Sequence, residues 1–269
     1  MGDVPWPVEG LVADLRRLGV RPGDHLMVHA SLRAIGPVEG GPDGVLDALD
    51  RAVGPEGTLM MVLSAGDVPE WTEPPARPDL ADADGRAIPF DAATSRAEPE
   101  VGWLAEVFRC RPGTQVTAHP LGRFGARGAR AARLLEHPPW DHYYGPGSPL
   151  DRLCQLGGRV LRLGADPNTV TLLHYSEYLA PIDHKRTVRR YVAVREGEGV
   201  AVRRVDSLDD AEGIVVWRGE DYFGLILHAY LDAGRGARGT VGAATSELLD
   251  ARDLLDFGVR WMAENLNPA

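Results

Sequence analysis

A short segment around residue 174 contains side chains suited to proton transfer and to the support of developing negative charge. It runs from Asn168 to Glu177, and Thr171 and His174 stand three residues apart in it. If the segment is helical, Thr171, His174 and Tyr178 share one face. Histidine titrates near neutral pH and can take a proton from an attacking amine, while a threonine hydroxyl can donate to a carbonyl oxygen that becomes an oxyanion. The same spacing also suits an ordinary structural histidine, so both interpretations stay open.

The segment from His29 to Gly36 is a second candidate site. It follows a short apolar run and carries Arg33 among small residues and glycine. Backbone N–H groups in such a loop, with an added cation, can bind a phosphate. An ordinary surface loop is the alternative. The two best-known nucleotide-binding loops, G-x-x-x-x-G-K-[ST] and G-x-G-x-x-G, are absent from the sequence.

Carboxylates are the third chemical feature. They fall in two groups along the chain: Asp67, Glu70, Glu73, Glu98 and Glu100, and then Asp206, Asp209, Asp210, Glu212, Glu220 and Asp221. If they converge on a cleft they would bind ammonium groups, whereas on a solvated face they would bind nothing specific.

Composition excludes several other classes of function. The formal net charge of −10 opposes binding to nucleic acid or to an anionic membrane. The eight histidines have no H-x-x-x-H spacing, and neither a C-x-x-C pair nor a G-x-S-x-G elbow is present. We therefore expect no metal site, no redox dithiol and no serine-hydrolase chemistry.

The lack of a signal-peptide pattern, the lack of a membrane-spanning stretch and the placement of the cysteines predict a cytoplasmic protein. The first residues have no basic start followed by an apolar run, and no stretch reaches the roughly 18 apolar residues that span a bilayer. Cys110 and Cys154 lie far apart, so we expect both to be reduced, packed and structural.

The elements that must position these side chains follow from periodicity and from capping residues. Helices are predicted over 8–18, 42–53, 99–109 and 169–180, from Pro149 onward, and within 222–233 and 248–266. Pro42 stands in the first turn of the second helix, Ser148 caps the helix that starts at Pro149, and Asn168 caps the helix over 169–180. Strands are predicted over 25–29, 58–63 and 159–163, and a hairpin over 191–205. Residues 64–95, rich in proline and acids, are predicted to cross the surface as a long loop. This order predicts an α/β fold with a mixed central sheet flanked by helices, in one domain over 1–269.

Several blocks in this order resemble one known family, the aminoglycoside 3-N-acetyltransferases. The blocks are GDHLMVHASLRAIGPVEGG at 23–41, VGPEGTLMM at 53–61, FDAAT at 90–94, AHP at 118–120, GSPL at 147–150, LRLGA at 161–165 and NTVTLLHYSE at 168–177. The resemblance implies an α/β fold distinct from that of the common acetyltransferase superfamily, whose [RQ]-x-x-G-x-[GA] loop is absent here.

The resemblance also implies an activity and a set of site residues. It implies transfer of an acetyl group from acetyl-coenzyme A to the 3-amine of the 2-deoxystreptamine ring, with His174 at the reacting centre and Thr171 near the thioester carbonyl. The loop that would hold the pantetheine and phosphate portion comprises Ser31, Leu32, Arg33, Ile35 and Gly36, with His119 nearby.

Three questions stay open at this stage. The carboxylate that orients His174 could be Glu177, Glu220 or Asp221, and the expected antibiotic contacts are Asp67, Glu98, Asp210 and Glu212. Residues 209–214 depart from the pattern of some relatives and residues 64–89 match poorly, so the range of accepted drugs is undecided. A biosynthetic amine acetyltransferase and a non-catalytic binding protein are the alternatives, and a monomer and a homodimer are equally compatible with the sequence.

Overall fold

The computed structural model describes residues 4–65, 68–75, 89–217 and 221–266. Nine α-helices lie within these ranges: α1 Val8–Leu18, α2 Leu32–Ile35, α3 Gly41–Val53, α4 Trp103–Cys110, α5 Ala131–Leu134, α6 Pro149–Gln155, α7 Leu172–Leu179, α8 Tyr222–Asp232 and α9 Ala251–Asn265. The ten strands are β1 His25–Ala30, β2 Thr58–Val62, β3 Glu70–Trp71, β4 Gln115–Val116, β5 Phe124–Gly128, β6 Arg159–Leu163, β7 Thr187–Glu196, β8 Gly199–Leu208, β9 Ala237–Val241 and β10 Ala244–Asp250.

A mixed seven-stranded sheet forms the centre, in the order β4-β5-β2-β1-β6-β10-β9. The neighbouring strands β2, β1 and β6 run parallel, and the other pairings are antiparallel. Because the three parallel strands end at the same edge, the loops that follow them converge there. The predicted α/β class with a mixed, helix-flanked sheet is confirmed.

Two hydrophobic cores lie on opposite faces of this sheet. One packs α1, α3 and α4 against Leu26, Leu59 and Leu161, and the other packs α6 to α9 against Met27 and Val160. Strands from both halves of the chain build the one sheet, which supports our proposal that the chain forms a single domain.

The segment before α7 differs from the prediction. A 3₁₀ turn at Pro167–Thr169 precedes the helix, and Asp166 caps that turn by accepting a hydrogen bond from the Asn168 N–H at 2.9 Å. Asn168 is therefore not the cap of a helix over 169–180. Its Oδ1 instead accepts from the Gly224 N–H at 2.8 Å, so it helps to cap α8 from another part of the chain.

Three further predictions need correction. The helix predicted over 99–109 is split at Gly102, whose φ of +91° ends a 3₁₀ turn before α4 begins. The loop predicted over 64–95 does not only cross the surface: Phe90 and Ser95 are buried, the latter because the Arg123 guanidinium donates to its carbonyl at 2.7 Å. Cys110 is exposed, unlike Cys154, because it ends α4 on the outer side.

The hairpin prediction is confirmed and the strands are longer than expected. β7 and β8 pair over their full lengths around the predicted turn, and β3 adds a third strand to this smaller sheet. No helix in the described ranges is long and apolar enough to cross a bilayer.

Candidate active site

The carboxyl edge of the parallel strands positions two of the sequence candidates side by side. β1 ends at Ala30 and leads into α2, which Ser31 caps by accepting from the Ala34 N–H at 3.2 Å. The adjacent β6 ends at Leu163 and leads into α7, which carries His174. Both loops line one cavity of about 610 Å³, which Thr171 and His174 also line. We call it the larger cavity because a second cavity that His174 lines has a volume of only about 270 Å³.

His174 is held by contacts on three sides. Its Nδ1 lies 2.8 Å from Oε2 of Glu177, one turn later on α7. The ring stacks on Tyr144 at a centroid distance of 5.0 Å and meets the edge of Phe223 at 4.8 Å. With Nδ1 bound to a carboxylate, Nε2 is the ring nitrogen left for a substrate, which is the arrangement that a general base requires.

Glu177 is fixed in turn by a second hydrogen bond. It is 2% exposed, and the Tyr222 hydroxyl at the start of α8 donates to its other oxygen, Oε1. Of the three carboxylates considered from the sequence, Glu177 is therefore the one in contact with His174. Asp221 caps α8 by accepting from the Phe223 N–H at 2.9 Å, and Glu220 lies outside the described residues.

The charges around His174 favour its protonated form. Burial lowers the pKa of His174, but the charge and hydrogen bond of Glu177, with Asp210 and Asp221 adding to them, outweigh burial and leave the pKa above its ordinary value. The imidazole is accordingly a stronger base than a free one.

Thr171 precedes α7 as its N-cap residue but does not cap it with its side chain. Its hydroxyl lies 3.3 Å from the Thr169 carbonyl, and the residue lines the larger cavity together with His174. Tyr178 does not line the larger cavity, since its hydroxyl accepts from the Leu208 N–H at 3.1 Å on the hairpin. Of the three residues predicted to share a face, Thr171 and His174 line the larger cavity.

The larger cavity also has a cation in its lining. Ser31, Leu32 and Arg33 line it, as do Gly102 and Trp103 of the α4 segment. Arg33 is exposed, and within the described part of the chain no carboxylate forms an ion pair with it. An unpaired guanidinium at a cavity mouth can bind phosphate.

A second cavity, of about 270 Å³, adjoins His174 on its other side. Four carboxylates line this acidic cavity: Glu177, Asp210, Glu212 and Asp221. Asp210 accepts from the Tyr143 hydroxyl at 2.5 Å and from Arg190 at 2.8 Å, so its negative charge is already paired with a guanidinium. His174 and Asn168 line both cavities, and the imidazole therefore stands where the larger cavity meets the acidic one.

Several residues proposed from the sequence lie elsewhere. Ile35 is fully buried in a hydrophobic core, and neither Ile35 nor Gly36 lines the larger cavity, because the chain turns inward along α2. His119 is 2% exposed; its Nδ1 accepts from the Leu121 and Gly122 N–H groups and its Nε2 donates to the Trp140 carbonyl at 2.8 Å, so both nitrogens are used structurally.

Two of the four expected antibiotic contacts are in the acidic cavity, namely Asp210 and Glu212. Glu98 lines a neighbouring surface depression beside Arg96 instead, because it starts the 3₁₀ turn before Gly102. Asp67 lies outside the described residues. Sequence patterns do not identify Tyr144, Phe223 and Tyr222 as site residues, because their partners lie far away along the chain and their aromatic character is the only signal.

A row of buried polar side chains crosses three neighbouring strands of the central sheet beside the site. His29 on β1, Arg162 on β6 and Glu247 on β10 are register partners, and Arg162 donates to Glu247 at 2.6 Å. Arg162 also donates to the Ala165 carbonyl, in the loop that leads to α7. Burial, reinforced by the charge of Arg162, lowers the pKa of His29 to about 4, so this histidine is neutral at neutral pH.

In the described ranges, no group of three or more histidine, cysteine, aspartate or glutamate side chains is arranged to hold a metal ion. Cys110 and Cys154 also lie outside both cavities.

Comparison with known proteins extends this picture. The family model described as aminoglycoside 3-N-acetyltransferase matches residues 27–263. Aminoglycoside N(3)-acetyltransferase VII of Streptomyces paromomycinus is 42% identical, with 98% of this chain and 94% of the relative covered.

Solved structures agree with the sequence match. The binary complex of AAC-IIIb with CoASH has a TM-score of 0.88 at 37% identity, covering 99% of this chain and 100% of that one. Sisomicin-bound AAC-VIa has a TM-score of 0.90 at 36% identity, covering 97% and 99%. With a family model matching most of its length and close relatives matching nearly all of it, the chain belongs to the aminoglycoside 3-N-acetyltransferase family.

Proposed function

We propose that this protein transfers the acetyl group of acetyl-coenzyme A to the 3-amino group of the 2-deoxystreptamine ring of aminoglycoside antibiotics, and thereby confers resistance. The observation that carries the proposal is the position of His174. One imidazole, held by Glu177, lines both a cavity with an unpaired cation and a cavity lined by four carboxylates.

The larger cavity suits the acetyl donor. Arg33 and the first turn of α2 supply a guanidinium and backbone N–H groups for the phosphates of coenzyme A, and Ser31 and Leu32 line the path toward His174. The binary complex of a relative with CoASH supports this choice of donor. The donor supplies an acyl group that is activated toward amines as a thioester.

The acidic cavity suits a polycationic sugar. Glu212 is exposed, and Asp221 has only one oxygen engaged in capping α8, so both can attract ammonium groups. The negative charge of Asp210 helps to raise the pKa of His174. The sisomicin complex of another relative supports an aminoglycoside as the occupant. The net charge of −10 favours the approach of such a cation.

His174 acts as the general base in this proposal. The substrate ammonium group first releases one proton to water; Nε2 of His174 then takes a proton from the neutral amine as it attacks, and Glu177 stabilises the imidazolium that results. The amine nitrogen then bonds to the carbonyl carbon, and the Thr171 hydroxyl donates to the carbonyl oxygen as negative charge develops on it. The carbon–sulfur bond breaks, and the departing sulfur takes up the proton that His174 holds.

Thiol release from acetyl-coenzyme A across a panel of aminoglycosides tests the proposal. We expect release that depends on the antibiotic, and a product whose added acetyl group is located on N3 by nuclear magnetic resonance. Acetylation at another nitrogen would contradict the regiochemistry. Release with simple polyamines but with no aminoglycoside would favour a biosynthetic amine acetyltransferase instead.

A further inference from the structure

Trp103 has an exposed indole that the fold itself does not use. It is the first residue of α4 and is 56% exposed, whereas Leu104, Ala105 and Phe108 of the same helix are buried in the core. Large aromatic side chains contribute most to stability when buried, so a half-exposed indole at a cavity is a feature to explain by binding.

The indole lies at the mouth of the larger cavity. Trp103 lines that cavity together with Arg33, and it also borders two depressions on the outer surface. The reacting end of the acetyl donor must lie at His174 and Thr171. The opposite, nucleotide end must therefore leave the cavity past the α2 loop and the start of α4, where the charged phosphates remain in contact with water.

A guanidinium holds the indole in place. The Arg96 guanidinium carbon lies 5.9 Å from the centre of the Trp103 ring, a cation–π contact. Its Nε lies 3.8 Å from Glu106 on the next turn of α4. A ring supported on one face by a cation is prepared to stack a flat heterocycle on the other, at a lower cost in side-chain entropy.

From this geometry we propose that Trp103 is the stacking platform for the adenine ring of acetyl-coenzyme A. The inference rests on the proposed function, because it takes acetyl-coenzyme A as the donor. Adenine stacks on Trp103 between the indole and solvent, while Arg33 binds the diphosphate; Trp103 thus sets the preference for the full nucleotide donor over shorter thioesters. Stacking of a base on an aromatic side chain contributes about 1–3 kcal/mol, or roughly five- to 150-fold in affinity.

The test compares two acetyl donors on the full-length protein. For wild type, Trp103→Ala and Trp103→Phe, kcat/KM is measured with acetyl-coenzyme A and with acetyl-pantetheine, which lacks the adenine nucleotide. We expect Trp103→Ala to lower the ratio of the two kcat/KM values about tenfold through KM for acetyl-coenzyme A, and Trp103→Phe to restore most of it. Trp6→Ala, which removes another exposed indole that lines neither cavity, should leave the ratio unchanged.

Direct binding of adenosine 3′,5′-bisphosphate, measured by calorimetry, gives a second readout that does not require turnover. We expect Trp103→Ala to weaken its binding about tenfold and Trp6→Ala to leave it unchanged. An unaltered donor ratio and unaltered binding would overturn the platform, and so would an equal loss with both donors, which would indicate a general effect on the cavity. A wild-type protein that releases no thiol from acetyl-coenzyme A would instead contradict the proposed function.

Discussion

At the scale of single residues, the chemistry depends on the coupling between His174 and Glu177. A carboxylate that is 2% exposed and hydrogen-bonded by Tyr222 keeps a fixed position beside the imidazole. It therefore sets both the tautomer of His174 and the pKa of its ring, two properties that a sequence motif alone does not reveal.

Glu177→Gln should shift the pH dependence of the reaction. The neutral amide removes the charge that raises the pKa of His174 and leaves burial, which lowers it. Because the base must be unprotonated, we expect the acidic limb of kcat/KM to move to lower pH, with a lower plateau. Glu212→Gln, on the exposed side of the acidic cavity, is the control that should leave the limb in place.

Asp210→Asn should weaken binding of the antibiotic more than binding of the acetyl donor. Asp210 lines the acidic cavity and is paired with Arg190 at 2.8 Å, so the amide removes one of the two carboxylates that pair with Arg190 and leaves only Glu70, at 3.0 Å. We expect KM for the aminoglycoside to rise about tenfold, as for loss of a partly buried charge pair, while KM for acetyl-coenzyme A stays constant. Equal changes in both KM values would show that Asp210 supports the fold and not the antibiotic.

At the scale of elements, α7 is positioned by close packing against α9. A Cβ on Gly258 of α9 would lie 2.7 Å from Oγ of Ser176 and 2.9 Å from Leu173, both on α7. Ser176 also donates to the Leu255 carbonyl at 3.2 Å. The helix that carries His174 therefore has little room to move.

Gly258→Ala should displace α7 and lower both stability and turnover. We expect the overpacked methyl group to reduce the free energy of unfolding by about 1–3 kcal/mol and to reduce kcat more than either KM. Urea unfolding and steady-state kinetics measure the two effects. Gly10→Ala in α1, where the nearest contact of the added Cβ is 3.3 Å, is the matched control. A fully active, unaltered Gly258→Ala would refute the argument.

The elements that the sequence predicted are those encoded by local patterns. The buried strands β1, β2 and β6, the helices α1 and α3 and the hairpin follow from periodicity, proline and glycine. Asn168 was assigned to the wrong helix because its partner, the Gly224 N–H, is 56 residues away. The choice of Glu177 and the packing of Tyr144 and Phe223 on His174 likewise depend on contacts that only the folded chain creates.

At the scale of the whole molecule, buried neutral histidines link stability to pH. Burial lowers the pKa of His29 and of His119 to about 4, so the folded protein keeps both neutral while the unfolded chain protonates them near pH 6.5. Their contribution is present above pH 6.5 and is lost as the pH falls toward 4. His174 has a raised pKa and is protonated in both states below pH 6.5, so it adds little in that window.

The free energy of unfolding should therefore fall between pH 6.5 and 5, by about 1.4 kcal/mol per pH unit for each of these two histidines. Urea unfolding at several pH values in that window measures the slope. His119→Asn should have a lower stability at neutral pH and a shallower slope. A slope unchanged by this substitution would show that His119 does not contribute to it.

The most direct measurement of the central claim is the turnover of His174→Ala. We expect the variant to fold with a nearly unchanged melting temperature and to bind acetyl-coenzyme A and the aminoglycoside with affinities similar to those of wild type. Its kcat should fall by about 10²–10⁴-fold, the usual loss when a general base is removed. A folded His174→Ala variant whose kcat stays within about threefold of wild type would contradict the assignment of His174 as the base.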